Sequence, residues 1–302
     1  MLFLLKLDCV HSDGEIGMRL WLAGMLGVWL SCVALEAQAD DFRNVAEASM
    51  LLRGTVEINP DGSVHGYAIQ GSETLAPIVV EVIQKNLPNW RFQLATTSTT
   101  VVKEMMTLRL VAKAVDDKHD AISIGAATFG NPDPDDEHVR FRTRKPPHYP
   151  LDASQAGISG TVYLLARVGR DGRVQHVSAE QVNLGKLTYK PLMERYRKDL
   201  ANAAIAAAKD WTYDVPTKGE LVDAPYWYVR VPVKFYVSAF SGEPRKTAPQ
   251  YGTWEVYIPG PKQDIPWVED HSLVADAPDA IPDGALHQLG SSTRLATSLG
   301  GS

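Results

Sequence analysis

The side chains of this chain that could do chemistry are its histidines and one acidic stretch that ends in histidine. His65 and His176 each follow an Asp-Gly pair by four or five residues, so they occupy similar places and could form a matched pair of metal ligands. Residues 131–138, Asn-Pro-Asp-Pro-Asp-Asp-Glu-His, bring carboxylates and an imidazole into one stretch. Features of this kind occur more often on solvated surfaces and linkers than in metal sites. The sequence therefore predicts solvated histidines, a polar linker and no metal site.

The motifs of the common enzyme classes do not occur in the sequence. It contains no His-Glu-x-x-His, no Gly-x-Ser-x-Gly and no phosphate-binding Gly-rich loop, and Gly157-Ile158-Ser159-Gly160 lacks the spacing of a nucleophile elbow. The two cysteines, Cys9 and Cys32, both precede the cleavage site predicted below, so the mature chain would have no disulfide and no thiol chemistry. We therefore predict that the protein is not an enzyme and uses no cofactor.

The first 39 residues are typical of an export signal preceded by a short extension. A Met-Arg pair precedes the apolar run Leu20–Leu30, and Ala37-Gln38-Ala39 has the A-x-A pattern of a cleavage site. We predict cleavage after Ala39 and release into the periplasm. An uncleaved inner-membrane anchor is the alternative, although the run is short for a membrane span. Lipidation at Cys32 is a minor alternative, because bulky Trp29 fits poorly three residues before such a cysteine.

Two stretches of the chain share the same order of features, which predicts two related strand–turn–strand–helix–strand units. Asp61-Gly62 marks the turn of the first, and Asp171-Gly172 marks the turn of the second. In each, a helical stretch ends at a tryptophan, Trp90 or Trp211, which predicts packing of the helix on the sheet. We predict an α+β fold of two small repeated β-β-α-β units with a largely irregular C-terminal tail.

The predicted division of the chain follows from this repeat. It comprises an upstream extension and signal peptide (1–39), a shorter degenerate unit (40–113), a linker (114–139), the clearer unit (140–240) and a partly disordered tail (241–302). The tail loses periodicity, and its end is rich in Ala, Pro, Gly and Ser. The formal net charge of -6 argues against nucleic acid as a main partner.

The strand predicted at 229–237 is the clearest in the chain. One face of it consists of alternating apolar residues: Val229, Val231, Val233, Phe235 and Val237. Pro232 indicates an edge strand, because proline cannot donate to a hydrogen-bond ladder. An exposed edge is either a protected liability or a docking site for another strand. Residues 251–258 are also strand-like and could cover the same edge, which leaves self-blocking and a homodimer open.

Residues 140–237 resemble the C-terminal domain of TonB-type energy transducers. The features that carry the resemblance occur in the family's order: Pro146–Pro150, Gly157–Val162, Asp171–Val174, Ala203–Trp211 and Val229–Phe235. Residues 50–113 resemble a shorter copy that lacks the Pro-x-Tyr-Pro segment.

The resemblance implies a periplasmic α+β domain that binds an extended peptide, the TonB box of outer-membrane transporters, by strand addition. Carried over to this sequence, it implies contacts from the edge strand and the Pro-x-Tyr-Pro segment: Pro147, Tyr149, Pro150, Val229, Arg230, Val231, Val233, Lys234 and Phe235. Arg230, Lys234 and Tyr149 are expected to select the side chains of the partner.

The sequence departs from the family pattern in two respects. Family transducers carry a membrane helix with a Ser and a His that engage a proton-motive motor, whereas the run Leu20–Leu35 contains Ser31 and no His. They also carry a long proline-rich spacer, and no such spacer occurs in this sequence. We therefore expect a periplasmic adaptor that binds an outer-membrane transporter or another envelope protein. A membrane-anchored energy transducer is the alternative.

Overall fold

Two antiparallel β-sheets, each with a helix packed on one face, organise the chain from Glu47 onward in this computed structural model. The structure describes residues 44–94, 98–116, 119–130, 136–236, 251–271, 278, 281, 285–290, 293–297 and 299. The predicted signal peptide and its cleavage site at Ala39 lie outside the described residues.

The elements follow one another in three groups. The first group contains β1 (Glu47–Ile58), β2 (Val64–Ile69), α1 (Pro77–Asn86), β3 (Phe92–Gln93), β4 (Val102–Ala114) and β5 (Asp120–Phe129). The second contains β6 (Arg140–Thr143), α2 (Leu151–Gln155), β7 (Gly160–Gly169), β8 (Val174–Leu184), α3 (Lys190–Ala208), β9 (Thr212–Asp214) and β10 (Tyr226–Phe235). The last contains β11 (Glu255–Tyr257), β12 (His287–Gln288) and β13 (Arg294–Leu295).

The first sheet has the order β11-β1-β4-β5, with β2 paired to β1 beside β11. The predicted hairpin is confirmed: β2 returns antiparallel to β1 after the Asp61-Gly62 turn. Pro77 stands in the first turn of α1, where a missing N–H is tolerated. Val79 and Ile83 of α1 pack against the buried residues of the sheet.

The stretch 114–139, which we expected to be a linker, contains strand β5. Residues 120–129 pair with β4 from Ala114↔Asp120 to Met106↔Phe129 and so widen the first sheet. The polar end of the stretch suggested a linker, whereas Ile122, Ile124 and Ala126 carry the alternation that forms the strand.

The second sheet has the order β8-β7-β10-β12. Its hairpin turns at Asp171-Gly172, as the sequence predicts, and Pro191 stands in the first turn of α3. The buried face of α3 is narrow because it consists of small residues apart from one leucine: Leu200, Ala204 and Ala208. The helix can therefore lie close to the sheet.

The same hydrogen bonds occur around the hairpin turns of both sheets. Phe92 N donates to Gly62 O at 2.8 Å, and Tyr213 N donates to Gly172 O at 2.8 Å. Each bond ties the short strand after a helix to the preceding hairpin. The strand orders β2-β1-β4 and β8-β7-β10 also correspond.

The C-terminal residues cover the face of the second sheet that lies opposite α3. Ile265, Val268 and Leu289 pack there against Leu165 and Tyr228. The face of β10 opposite the predicted apolar face is also buried, because the tail covers it. No helix among the described residues is long and apolar enough to span a membrane.

The Gly172 turn provides a test of this packing. Gly172 has a φ of 73°, and a Cβ there would lie 2.1 Å from Tyr213 O, whereas Gly157 has a φ of 66° and open space around it. Both alanine variants should lower the free energy of unfolding by about 1 kcal/mol, because alanine is strained in the left-handed region. Only Gly172→Ala also displaces a strand, so we expect this variant to lower the free energy of unfolding by about 3 kcal/mol in total. Urea unfolding measures both losses, and equal losses would contradict the assigned contact.

Candidate strand-docking site

Strand β10 has a complete neighbour on one side and a partial one on the other. It pairs with β7 along its whole length, from Tyr226↔Gly169 to Phe235↔Gly160. On the other side, β12 pairs only with Val229 and Arg230. Within the described part of the chain, no strand pairs with the outer side of β10 over residues 231–235.

The backbone of even-numbered residues in β10 faces this outer side. The carbonyl of Tyr228 accepts a hydrogen bond from Leu289 N at 2.9 Å, and the carbonyl of Pro232 accepts one from Arg144 Nη2 at 3.3 Å. Because strand backbones alternate, the nitrogen of Pro232 faces the same side, where no β7 bond is lost. This placement agrees with the edge position that the sequence indicates.

The Pro-x-Tyr-Pro segment, residues 147–150, reaches the C-terminal end of β10. The rings of Tyr149 and Phe235 lie 5.3 Å apart in an edge-on arrangement. The Tyr149 hydroxyl donates to the carbonyl of Ile158, and burial raises the pKa of Tyr149 to about 12. Pro147 is half-buried, and Pro150 directly precedes α2. The structure thus brings together the two elements that the resemblance implies.

Trp211 fixes the chain segment that leads to these residues. Its Nε1 donates to Lys145 O at 2.8 Å, and its buried ring lies edge-on to Phe141 at 5.8 Å. The predicted packing role of Trp211 is confirmed. Sequence reasoning missed Arg144, whose guanidinium lies over the rings of Phe141 and Trp211 at 4.9 and 5.3 Å. In the sequence, arginines stand at every second position from Arg140 to Arg144, with Phe141 between the first two. This alternation is the signal that could have identified Arg144.

Arg230 does not face a partner. Its Nε and Nη2 donate to the two carboxylate oxygens of Glu180 at 2.8 and 2.9 Å, and both side chains are almost fully buried. The expectation that Arg230 selects partner side chains is therefore corrected: the residue is committed to an internal ion pair. No sequence pattern singled out Glu180, because the pair joins strands that are distant in sequence.

The remaining predicted contact residues divide by face. The apolar ones, Val229, Val231, Val233 and Phe235, are buried on the α3 side of the sheet. Lys234 points the other way, and its Nζ contacts Glu255 Oε1 of β11 at 2.9 Å. Its side chain is only 15% exposed. A partner strand on this edge would therefore contact the backbone of β10 and the sides of its side chains, because no row of side chains protrudes from the edge.

The tail covers part of the β10 edge, but with residues other than those expected. Glu255–Tyr257 pair with β1, and Ile258 bridges to Leu184 on the opposite edge of the second sheet. Instead, β12 lies on β10, where Gln288 Oε1 accepts a hydrogen bond from Val139 N at 2.7 Å. Alternation predicted a strand in 251–258, of which Glu255–Tyr257 form β11, but it did not predict which edge this strand joins.

His287 of β12 lies next to positive charge. Burial lowers its pKa to about 4, with smaller contributions from Arg230 and His138. The imidazole is therefore neutral at neutral pH, as its position beside a guanidinium requires.

The histidines considered as metal ligands lie apart from this site. His65 and His176 are exposed, and the His176 ring stacks on Trp267 at 5.5 Å. The described residues contain no group of three potential metal-binding side chains. Most of the acidic stretch 131–138, residues 131–135, lies outside the described residues.

Comparison with known proteins agrees with a TonB-like stretch in this chain. Two curated relatives, both named Protein TonB, come from Xanthomonas campestris pv. campestris, strains B100 and ATCC 33913. Each is 33% identical over 97 residues, which covers 32% of this chain and 37% of the relative. The chain thus spans little more than a third of the length of these relatives. No protein-family model and no solved structure matches.

The buried Arg230–Glu180 pair predicts a large difference between two ion-pair variants. Glu180→Ala leaves Arg230 buried without its counter-charge, so we expect it to lower the free energy of unfolding by about 3–5 kcal/mol. The matched control, Asp152→Ala, removes the exposed pair with Arg195 and should cost about 1 kcal/mol or less. Urea unfolding measures both, and a small loss for Glu180→Ala would mean that the pair is hydrated in solution.

Proposed function

We propose that this protein is a periplasmic adaptor that binds an extended peptide of an envelope protein by strand addition to β10. The observation that carries the proposal is the outer side of β10, where residues 231–235 have no described strand neighbour, whereas Val229 and Arg230 pair with β12. Main-chain hydrogen bonds along such an edge supply affinity, and the flanking side chains supply specificity. The similarity to TonB supports an outer-membrane transporter as the partner.

We further propose that the two sheets with their helices are copies of one unit. The matched turn contacts at Gly62 and Gly172 and the matched strand orders support this interpretation. In this view, the regions 40–113 and 140–240 derive from a repeated domain, and β5 and the tail strands are additions to it. The peptide-binding function belongs to the second copy, which carries the Pro-x-Tyr-Pro segment.

The alternative function is that of a membrane-anchored energy transducer, which the name of the two relatives favours. Signal processing separates the two functions. The adaptor requires cleavage after Ala39, so the mature chain should begin at Asp40. The intact mass of the protein isolated from its native envelope measures this, and recovery of an uncleaved chain in the inner membrane would support the transducer.

Titration of a TonB-box-like peptide into the isotopically labelled full chain tests strand addition. We expect NMR amide shifts centred on residues 231–235. Lys234→Pro removes an outward-facing N–H, so it should weaken binding by about tenfold or more, consistent with the loss of about one main-chain hydrogen bond and a steric conflict.

Lys234→Ala is the matched control, because it removes the same side chain and its contact with Glu255 but keeps the N–H. We expect this variant to bind within about threefold of wild type, since the side chain of Lys234 contacts Glu255 of this chain and not the edge where the peptide binds. Equal affinities for the proline and alanine variants, or shifts elsewhere in the chain, would refute strand addition at β10.

A further inference from the structure

The outer edge of β5 is the one long sheet edge in the described part of the chain that lacks the usual protection. Natural edge strands are short, covered, or interrupted by charge or proline, because exposed N–H and C=O groups pair with other strands. The β8 edge is covered, since Ile258 and Leu184 exchange two hydrogen bonds at 2.6 and 3.0 Å. The β10 edge contains Pro232 and is partly paired with β12, and β2 and β11 have only six and three residues.

Strand β5 has ten residues, and it carries no charge and no proline from Ala121 to Phe129. Among the residues that the structure describes, β4 is its only strand neighbour. Ala121 and Ser123 are exposed, so the N-terminal half of the strand is accessible. Gly125 is an extra residue at a β-bulge opposite β4, and it ends the regular part of the strand. The stretch 120–124 is therefore the part of this edge that can continue a ladder.

A hydrogen bond beside β5 shows which of its backbone groups face outward. Val115 N donates to His119 O at 2.9 Å, just before β5 begins. Because strand backbones alternate, the backbone of the odd-numbered residues up to Ser123 faces β4. Ile122 and Ile124 therefore present their N–H and C=O groups to the outer side, at equal distances along the strand from Ser123.

We propose that two copies of this chain pair through β5, antiparallel and around a two-fold axis at Ser123. This pairing places Ile122 opposite Ile124 of the second copy, and the reverse, and each pair exchanges both of its N–H···O hydrogen bonds. Ser123 lies opposite Ser123 of the second copy at the closer, non-hydrogen-bonded position, where two small side chains fit. No like charges oppose one another, because the strand is uncharged from Ala121 onward.

The same pairing extends the apolar core of the first sheet. Ile124 is buried, and the partly exposed Ile122 packs against the same core, on the face that α1 covers. Opposite each other across the axis, these β-branched side chains stabilise the antiparallel pair. The other edge of the sheet consists of the short strands β2 and β11, so the assembly closes at two copies. The inference is independent of the peptide binding proposed for β10, which belongs to the second sheet.

A single cysteine at the axis tests this pairing in the full chain with Cys9→Ser and Cys32→Ser. Cα atoms at a non-hydrogen-bonded position lie about 4.5 Å apart, within the range of a disulfide. Ser123→Cys should therefore form a disulfide-linked dimer on mild oxidation, detected on a non-reducing gel. Ala68→Cys, at an exposed position of the edge strand β2, is the matched control and should remain monomeric. Equal crosslinking of the two variants, or none, would overturn the proposal.

Sedimentation equilibrium of two Ile122 variants provides a second readout. Ile122→Pro removes an outward N–H that β4 does not use, so the strand keeps its place in the sheet. Because the two-fold axis doubles the loss, we expect the dimer dissociation constant to rise at least about tenfold. Ile122→Val keeps the N–H and a β-branched side chain, so it should stay within about threefold of the wild-type chain. A wild-type chain that is monomeric at every concentration, or equal constants for the two variants, would contradict pairing through β5.

Discussion

The buried ion pair between Arg230 and Glu180 constrains the whole second sheet. Helix α3 covers one face, and the charged pair lies on the other, where it could remain exposed to water at little cost. The C-terminal residues instead cover that face, and Ile265, Val268 and Leu289 supply the apolar surroundings. Burial of both charges makes their pairing obligatory, because either one alone would be strongly destabilising. The tail is therefore part of the folded unit.

The residues that cover this face do not cover the two edges of the sheet, which have other neighbours. Ile258 bridges to Leu184 at the β8 edge, and β12 joins β10 over two residue pairs. Pro232 has no N–H to satisfy on this side, and its carbonyl accepts a hydrogen bond from Arg144. The first sheet faces the same geometric problem and solves it with β5. In the second sheet, no described strand covers the outer side of residues 231–235 of β10.

Local sequence signals predicted the hairpins, the helical stretches that form α1 and α3, and the packing of Trp211, because turn glycines and apolar periodicity act over a few residues. These signals failed where pairing between residues that are distant in sequence determines the structure. The predicted linker 114–139 contains strand β5, Arg230 pairs with Glu180 instead of a partner, and Glu255–Tyr257 join β1 instead of β10. Each of these outcomes depends on a neighbour far away in sequence, and periodicity alone does not identify that neighbour.

The central claim, that β10 receives a strand from an envelope partner, is tested most directly by photo-crosslinking in the native envelope. A benzophenone side chain replaces Tyr236, at the end of β10, or Tyr189, an exposed tyrosine before α3. The account predicts that position 236 alone crosslinks to the periplasmic extended segment of an outer-membrane transporter, identified by mass spectrometry. Equal crosslinking from both positions, or crosslinks from position 236 only within the chain itself, would contradict it.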